Sequence, residues 1–155
     1  MKKLKDLMTR PVQTAYPEMT IHEVSRQMRA YDIGAMPVTE QDRLIGIVSD
    51  RDIVLRCIAE GADPMKIRAL EIMTRTVHWC YEDQDIGTAA ELMQEHKIRR
   101  IPILNRGQRL VGIFSMGRLA EEREYEALAG RTLRHVSMPV SSAISSNAMM
   151  EHVAS

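Results

Sequence analysis

The chain has 155 residues, a length that suits one compact domain or two very small repeats. Its 21 Lys and Arg balance 21 Asp and Glu, and this neutrality excludes a strongly basic nucleic-acid-binding domain. Apolar residues make up 45% of the chain, which favours a buried core, and they never form the run of about 18 that a membrane span needs. Cys57 and Cys80 are too few for a disulfide framework and no secretory signal is recognisable, so we expect a cytoplasmic protein.

The first half of the chain predicts the order strand, helix, strand, strand, helix. Its helices are indicated by apolar residues at helical spacing and its hairpin by two apolar runs around a polar turn. The predicted segments are a strand at 12–15, a helix that opens at the capping box Thr20-Ile21-His22-Glu23 and is ended by Gly34, strands at 35–39 and 44–48, and a helix at 50–60 stopped by Gly61.

The same pattern occurs a second time. Met8-Thr9-Arg10 recurs as Met73-Thr74-Arg75, 65 positions later, and the segment 43–49 recurs at 109–115 with one extra residue of offset. The extra residue falls in a polar turn, where an insertion costs least. A unit of ~60 residues is marginal alone. We therefore predict an α+β fold in which two β-α-β-β-α repeats pack with pseudo-two-fold symmetry and leave ligand-binding clefts between them.

The predicted boundaries follow from this duplication. The first repeat spans 1–61, a linker spans 62–72 with a short helix after Pro64, and the second repeat spans 73–120. The region 121–155 begins as a charged helix and continues, from Ser137 on, as a Ser- and Met-rich tail. We expect this tail to be mobile or to dock on a partner.

Short motifs recur at matching positions of both repeats. They are Met8-Thr9, Asp32–Val38 and Gly46–Ile53 in the first repeat, and Met73-Thr74, Ile98–Ile103 and Gly112–Ser115 in the second. On these motifs, over roughly residues 4 to 120, the chain resembles a tandem pair of cystathionine-β-synthase (CBS) domains, a Bateman module. With no catalytic domain attached, it is similar to the stand-alone bacterial proteins of the hypoxic response protein group.

The resemblance implies a non-catalytic, ligand-sensing regulatory module. The expected ligand contains adenosine, most simply AMP, ADP or ATP, with S-adenosylmethionine or NAD as alternatives. It would bind between the repeats and signal through a change of inter-domain or dimer geometry. A homodimer is expected, parallel or antiparallel, with an unidentified effector protein and without nucleic acid, membrane or metal.

Ser49 and Asp52 are the principal expected ligand contacts. Gly46 leaves room beside its strand, and Ser49 stands where the second helix begins, a position suited to phosphate. Asp52 lies one turn further on, and its carboxylate can accept both ribose hydroxyls, the role that the family gives to an acid at this position. The spacing S-x-x-D is also a capping box that needs no ligand, and the two interpretations are compatible.

The resemblance adds further expected contacts in the same site. Arg100 would contact phosphate, with a solvated or ion-paired arginine as the alternative. The adenine would be enclosed by residues of the first repeat, for which ordinary core packing is the alternative at Met36. These residues are Thr14, Ala15, Ala35, Met36 and Pro37.

The second repeat departs from the pattern at two positions. Arg118 stands where Asp52 stands in the first repeat, and a guanidinium cannot accept a ribose hydroxyl. Trp79 replaces Thr14, and it either plugs the second cleft or stacks on a base. We therefore predict one competent site per chain and two per dimer.

Two other functions stay open. One is a ligand-free structural or interaction module whose clefts are filled by side chains. The other is redox sensing through Cys57 and Cys80. The histidines and cysteines lack the spacing of a metal site, although His78 and Cys80 share one face of a strand.

Overall fold

The structure, a computed structural model, describes residues 1–139. Its helices are α1 Leu4–Leu7, α2 Ile21–Tyr31, α3 Asp50–Ile53, α4 Ala69–Ile72, α5 Ile86–His96, α6 Met116–Glu121 and α7 Glu126–Ser137. Its strands are β1 Ala35–Glu40, β2 Arg43–Ser49, β3 Cys80–Tyr81, β4 Arg100–Leu104 and β5 Leu110–Ser115. Helix α3 continues as a π-helix, Val54–Ile58, and a 3-10 turn, Arg123–Tyr125, precedes α7. Of the predicted tail, residues 140–155 lie outside the described residues.

The predicted repeat is confirmed. In the second repeat β3 pairs in parallel with β4, and β4 pairs antiparallel with β5, with α5 and α6 in the predicted places. In the first repeat β1 and β2 form the equivalent antiparallel hairpin. Its first strand is reduced to a single parallel bridge between Ala15 and Val38.

Helix α2 begins as predicted and ends differently. The Oγ1 of Thr20 accepts the backbone N–H of Glu23 at 3.2 Å, and the Glu23 carboxylate accepts that of Thr20 at 2.9 Å. The residue after the helix, Asp32, takes the left-handed conformation with φ 52°. Gly34 therefore does not end the helix. A Cβ at Gly34 would lie 3.0 Å from Oδ2 of Asp50, so the glycine allows a close approach instead.

Each repeat is completed by the segment that precedes the other one. The core of the second repeat includes Leu4 and Leu7 of α1, and the core of the first includes Ala69 and Ile72 of α4. Single antiparallel bridges, Thr9 to Ile113 and Ile47 to Thr74, fix both crossings. The two packed cores consequently extend across the sequence boundaries predicted at 61 and 73.

Methionine side chains from these segments lie against the two strand glycines. A Cβ at Gly46 would lie 2.5 Å from Sδ of Met73, and a Cβ at Gly112 would collide with Met8 in the same way. The space beside Gly46 was expected to serve a ligand. It holds the Met73 thioether, because α4 and Met73 pack onto the first repeat.

Helix α7 extends the core of the second repeat. It buries Ala129, Thr132 and Val136, and Gln94 of α5 donates to Oγ1 of Thr132 at 2.9 Å. The charged helix predicted at the start of the region 121–155 is thus preceded by the turn Arg123–Tyr125 and runs on to Ser137.

Candidate ligand-binding clefts

Two clefts lie between the repeats and are lined by equivalent positions of the duplication. Cleft A, of about 200 Å³, is lined by Ile47, Ser49, Asp52, Thr74, Thr76, Val77, His78, Ile98, Arg100 and Pro102. Cleft B, of about 350 Å³, is lined by Thr9, Pro11, Val12, Gln13, Tyr31, Asp32, Ile33, Gly34, Ala35, Pro37, Arg100, Ile113 and Ser115. In cleft A, the end of β2 faces residues 74–78, which open the second repeat. In cleft B, the end of β5 faces residues 9–13, which open the first repeat.

Ser49 and Asp52 lie together in cleft A and form a complete capping box. The Oγ of Ser49 accepts the backbone N–H of Asp52 at 3.0 Å, and Oδ2 of Asp52 accepts that of Ser49 at 2.8 Å. The other oxygen, Oδ1, has Arg56 Nε at 3.8 Å, beyond hydrogen-bond range. The Asp52 side chain is 15% exposed, so it is largely sheltered, and its Oδ1 keeps the capacity to accept a ligand hydroxyl.

The start of α3 does not offer the phosphate site expected from a helix N-terminus. The backbone N–H of Asp50 donates to the Gly34 carbonyl at 2.9 Å, and that of Arg51 donates to Oδ1 of Asp50 at 2.8 Å. The N–H of Asp52 is taken by Ser49. Since the first three amides already have acceptors, an anion in cleft A must be met by side chains.

Arg100 lines both clefts and is exposed. The point that a Gly34 Cβ would occupy is 3.6 Å from Nη2 of Arg100 and 3.0 Å from Oδ2 of Asp50. The guanidinium therefore lies near a carboxylate and within reach of either cleft. Within residues 1–139 Arg100 forms no salt bridge, so this position is compatible with the phosphate contact and with a solvated arginine.

The residues expected around the adenine are separated from Asp52. Ala35 and Pro37 line cleft B, across from Ser115. Met36 and Ala15 are buried in the core of the first repeat and line neither cleft. Thr14 lines a third pocket of about 260 Å³. The cause is that α1 packs on the second repeat and α4 packs on the first, so the segments that open the two repeats cross. This crossing sets Asp52 of the first repeat against strands of the second.

Cleft A is completed by second-repeat residues that the sequence interpretation did not assign to it. They are Thr74, Thr76, Val77, Ile98 and Pro102, together with His78. The 65-residue offset was the available signal, since it relates Pro102 to Pro37 and Ile98 to Ile33. The His78 ring stacks on that of His96, with centroids 3.5 Å apart and planes 11° apart. Burial, and then the neighbouring His96, lower the pKa of His78.

Arg118 and Trp79 do not line cleft B. Arg118 donates from Nε to the Leu7 carbonyl at 3.1 Å and pairs with Glu121, which turns its guanidinium toward α1. Trp79 lines a separate pocket with Arg43 and packs edge-on against Tyr81, with ring centroids 4.8 Å apart. Of the alternatives left open for the second cleft, the structure therefore shows neither side chain filling cleft B. What distinguishes cleft B is the absence of a carboxylate at the position of Asp52.

The cysteines are free and buried, and burial raises the pKa of the Cys80 thiol to about 11. Within residues 1–139, no three His, Cys, Asp or Glu side chains gather as a metal site would require. Over the same residues, no helix has the length and apolar character needed to cross a membrane.

The repeated unit matches a known family. The CBS domain pattern matches the chain twice, over residues 4–58 and 69–125. CBS domain-containing protein YhcV of Bacillus subtilis is 37% identical over 141 residues, which cover 88% of this chain and 96% of YhcV. Hypoxic response protein 1 of Mycobacterium tuberculosis is 32% identical over 129 residues, which cover 83% of this chain and 90% of that protein.

Solved structures share the fold. Hypoxic response protein I with two coordinated zinc ions matches with a TM-score of 0.72 and 32% identity, over 78% of this chain and 98% of that one. The CBS domain protein PAE2072 of Pyrobaculum aerophilum, complexed with AMP, gives 0.74 and 26%, over 84% and 99%. The CBS domain pair of MJ0100, in complex with 5′-methylthioadenosine and S-adenosyl-L-methionine, gives 0.70 and 26%, over 77% and 94%. By repeat pattern, sequence and fold, the chain belongs to the CBS domain family, as a tandem CBS pair.

Proposed function

We propose that the chain is a non-catalytic regulatory module that binds an adenosine-containing ligand in cleft A. The supporting observation is the position of Asp52, a carboxylate of the first repeat that faces residues 76–78 of the second across one cleft. Two CBS neighbours in the same fold carry adenosine compounds, AMP in one and S-adenosyl-L-methionine with 5′-methylthioadenosine in the other. AMP, ADP and ATP are the first candidates, followed by S-adenosylmethionine and NAD.

The lining of cleft A provides a contact for each part of such a ligand. Oδ1 of Asp52 accepts the ribose hydroxyls, because it accepts no hydrogen bond within residues 1–139 and the Arg56 Nε lies 3.8 Å away. Ile98 and Pro102 offer apolar surface to the base. Arg100 meets the phosphate as a charge-assisted donor.

Binding between the repeats provides the regulatory mechanism. A ligand held by Asp52 on one side and by Arg100 on the other ties the two repeats together and favours one angle between them. Such a shift requires that the ligand bind one geometry more tightly than another. The readout is an effector protein, in the cytoplasm, that senses the geometry of the pair.

We further propose one competent site per chain and a homodimer. Cleft B lacks a ribose-reading acid, because the position equivalent to Asp52 is Arg118, whose guanidinium turns away toward α1. The dimer is supported by three aliphatic side chains that remain about half exposed along the second helix of the first repeat, Val54, Leu55 and Ile58. The equivalent positions of the second repeat are Ala120, Glu121 and Glu124, so this apolar surface belongs to the first repeat alone.

The test is thermal unfolding with AMP, ADP, ATP, S-adenosylmethionine and NAD, for the wild type and Asp52→Ala. A ligand specific for the native state adds about 2.7 kcal/mol of stability at 100 times its dissociation constant. We expect at least one compound to raise the wild-type Tm and to leave Asp52→Ala unchanged. An equal shift in both proteins would remove Asp52 from the site.

The second candidate is a ligand-free interaction module. It is favoured by the completeness of the Ser49–Asp52 capping box, in which each backbone donor has its side-chain acceptor without any ligand. A well-folded wild-type protein whose Tm responds to none of the five compounds would favour this candidate.

A further inference from the structure

His78 occupies an unusual position in the wall of cleft A. Its imidazole lines the cleft while stacking face to face on His96, which lies on α5. The centroid separation of 3.5 Å leaves no room for another group between the rings. A change of charge on His78 therefore acts on the cleft and on the stack together.

Protonation of one ring in the stacked pair is much easier than protonation of both rings. Two imidazolium rings in van der Waals contact repel each other, so a proton on His96 opposes one on His78. On α5, Glu95 lies 3.8 Å from Nε2 of His96 and partly offsets the lowering of the His78 pKa by burial and by His96. The charged groups that line the cleft with His78 are Asp52 of α3 and Arg100 of β4.

The charges of cleft A leave a phosphate incompletely neutralised. Among the described residues that line it, Arg100 is the one permanent cation, and Asp52 opposes it with a negative charge. The first amides of α3 are already occupied. A phosphate monoester above its second pKa of about 6 carries two negative charges. A further positive charge would reduce this excess of negative charge, and the ring of His78 is the group placed to supply it.

We propose that His78 is the proton-dependent anion contact of cleft A, neutral in the empty cleft and protonated from solvent when a phosphate-bearing ligand binds. This inference rests on the proposed function and adds to it a residue and a coupling to pH. It assigns to the ligand at least one anionic group beside the base and ribose. It also predicts that an uncharged nucleoside binds without taking up a proton.

The sign of the pH dependence follows from linkage. Burial and His96 hold the pKa of free His78 below its ordinary value, and a bound phosphate raises it. Affinity for the anion is therefore fully present below the pKa that His78 has in the empty cleft. It is lost as pH rises through the higher pKa that His78 has when phosphate is bound. Uptake of one proton weakens the affinity by at most about tenfold per pH unit within that window.

The experiment is isothermal titration of AMP, with adenosine as the uncharged control, from about pH 6.5 to about 8.5 in buffers containing EDTA. Repeating it in buffers of different ionisation enthalpy counts the protons taken up directly. For the wild type we expect net proton uptake and a dissociation constant for AMP that rises with pH, with neither effect for adenosine. AMP affinity independent of pH, with no uptake, would overturn the proposal.

Two variants separate this role from simple packing. In His78→Gln, AMP should still bind at high pH but take up no proton. In His96→Gln, which leaves the lining of the cleft intact, AMP should bind more tightly than to the wild type near neutral pH, because the opposing ring is gone. Unchanged proton uptake in His78→Gln would contradict the proposal. Failure of the proposed function would look different, with neither AMP nor adenosine binding at any pH.

Discussion

Arg118 in the second repeat makes the contact that Arg56 makes in the first, although the two arginines occupy different positions of the duplication. Arg118 donates to the carbonyl of Leu7, the last residue of α1, and Arg56 donates to that of Ile72, the last residue of α4, both at 3.1 Å. Arg118 stands at the position equivalent to Asp52. A single residue difference thus removes the ribose-reading acid from cleft B and supplies the bond that holds the leading segment in place.

Replacing either arginine should lower stability by a similar amount. Arg118→Ala and Arg56→Ala each remove a charge-assisted hydrogen bond at a helix C-terminus, worth about 1 kcal/mol for a partly exposed side chain. Urea unfolding at equilibrium measures both losses. Arg118→Ala should leave ligand affinity unchanged because Arg118 does not line cleft A. Loss of ligand binding in Arg118→Ala would contradict this division of roles.

The contact between Gly46 and Met73 should be intolerant of a methyl group. Gly46→Ala places a Cβ 2.5 Å from the Met73 sulfur and should cost about 1–3 kcal/mol in the free energy of unfolding. Met73→Ala combined with Gly46→Ala should cost less than the two single changes added together. Gly130→Ala, in α7 where nothing lies within 4 Å, is the matched control and should be neutral or stabilising. Strict additivity would argue against the packing described here.

The cysteines should be unreactive in the folded protein. Both are buried, and a thiol pKa of about 11 keeps Cys80 in the protonated, non-nucleophilic form at neutral pH. A thiol reagent should therefore label neither cysteine rapidly until the protein is unfolded, when both react. Fast labelling of the native protein, or oxidant-dependent changes that the Cys57→Ser/Cys80→Ser variant lacks, would revive redox sensing.

Self-association should depend on the apolar surface of the first repeat. Leu55→Glu places a charge among Val54 and Ile58 and should convert a dimer into a monomer in light scattering coupled to size exclusion. Leu133→Glu, at a similarly exposed leucine of α7, is the control and should remain dimeric. A dimer that survives Leu55→Glu but not Leu133→Glu would place the interface on α7.

Local features of the fold could be predicted from the sequence, and features that depend on how the repeats meet could not. The capping boxes at Thr20 and Ser49 are short-range interactions, and both are present. The duplication predicted the element order. The crossing of α1 and α4 leaves no local signal, and it is this crossing that places Ala35 and Pro37 opposite Ser115 rather than Asp52.

The same distinction, between local features and those that depend on how the repeats meet, explains which site residues could be predicted from the sequence. Ser49, Asp52 and Arg100 were predicted to share a site, and the structure places all three in cleft A. Trp79 was interpreted through its equivalence to Thr14, yet both residues line separate pockets and neither lines cleft A or cleft B. His78 was considered only as a metal ligand, because its stacking partner His96 lies 18 positions away, on α5.

The most direct test of the account is the stoichiometry of ligand binding, measured by calorimetric titration of AMP into the wild type, Asp52→Asn and Ser115→Ala. Asp52→Asn keeps the size of the side chain but loses its charge, whereas Ser115→Ala removes a helix cap that lines cleft B. The account predicts one AMP per chain in the wild type and in Ser115→Ala, and no saturable binding to Asp52→Asn. Two equivalent sites per chain, or unchanged binding by Asp52→Asn, would contradict it.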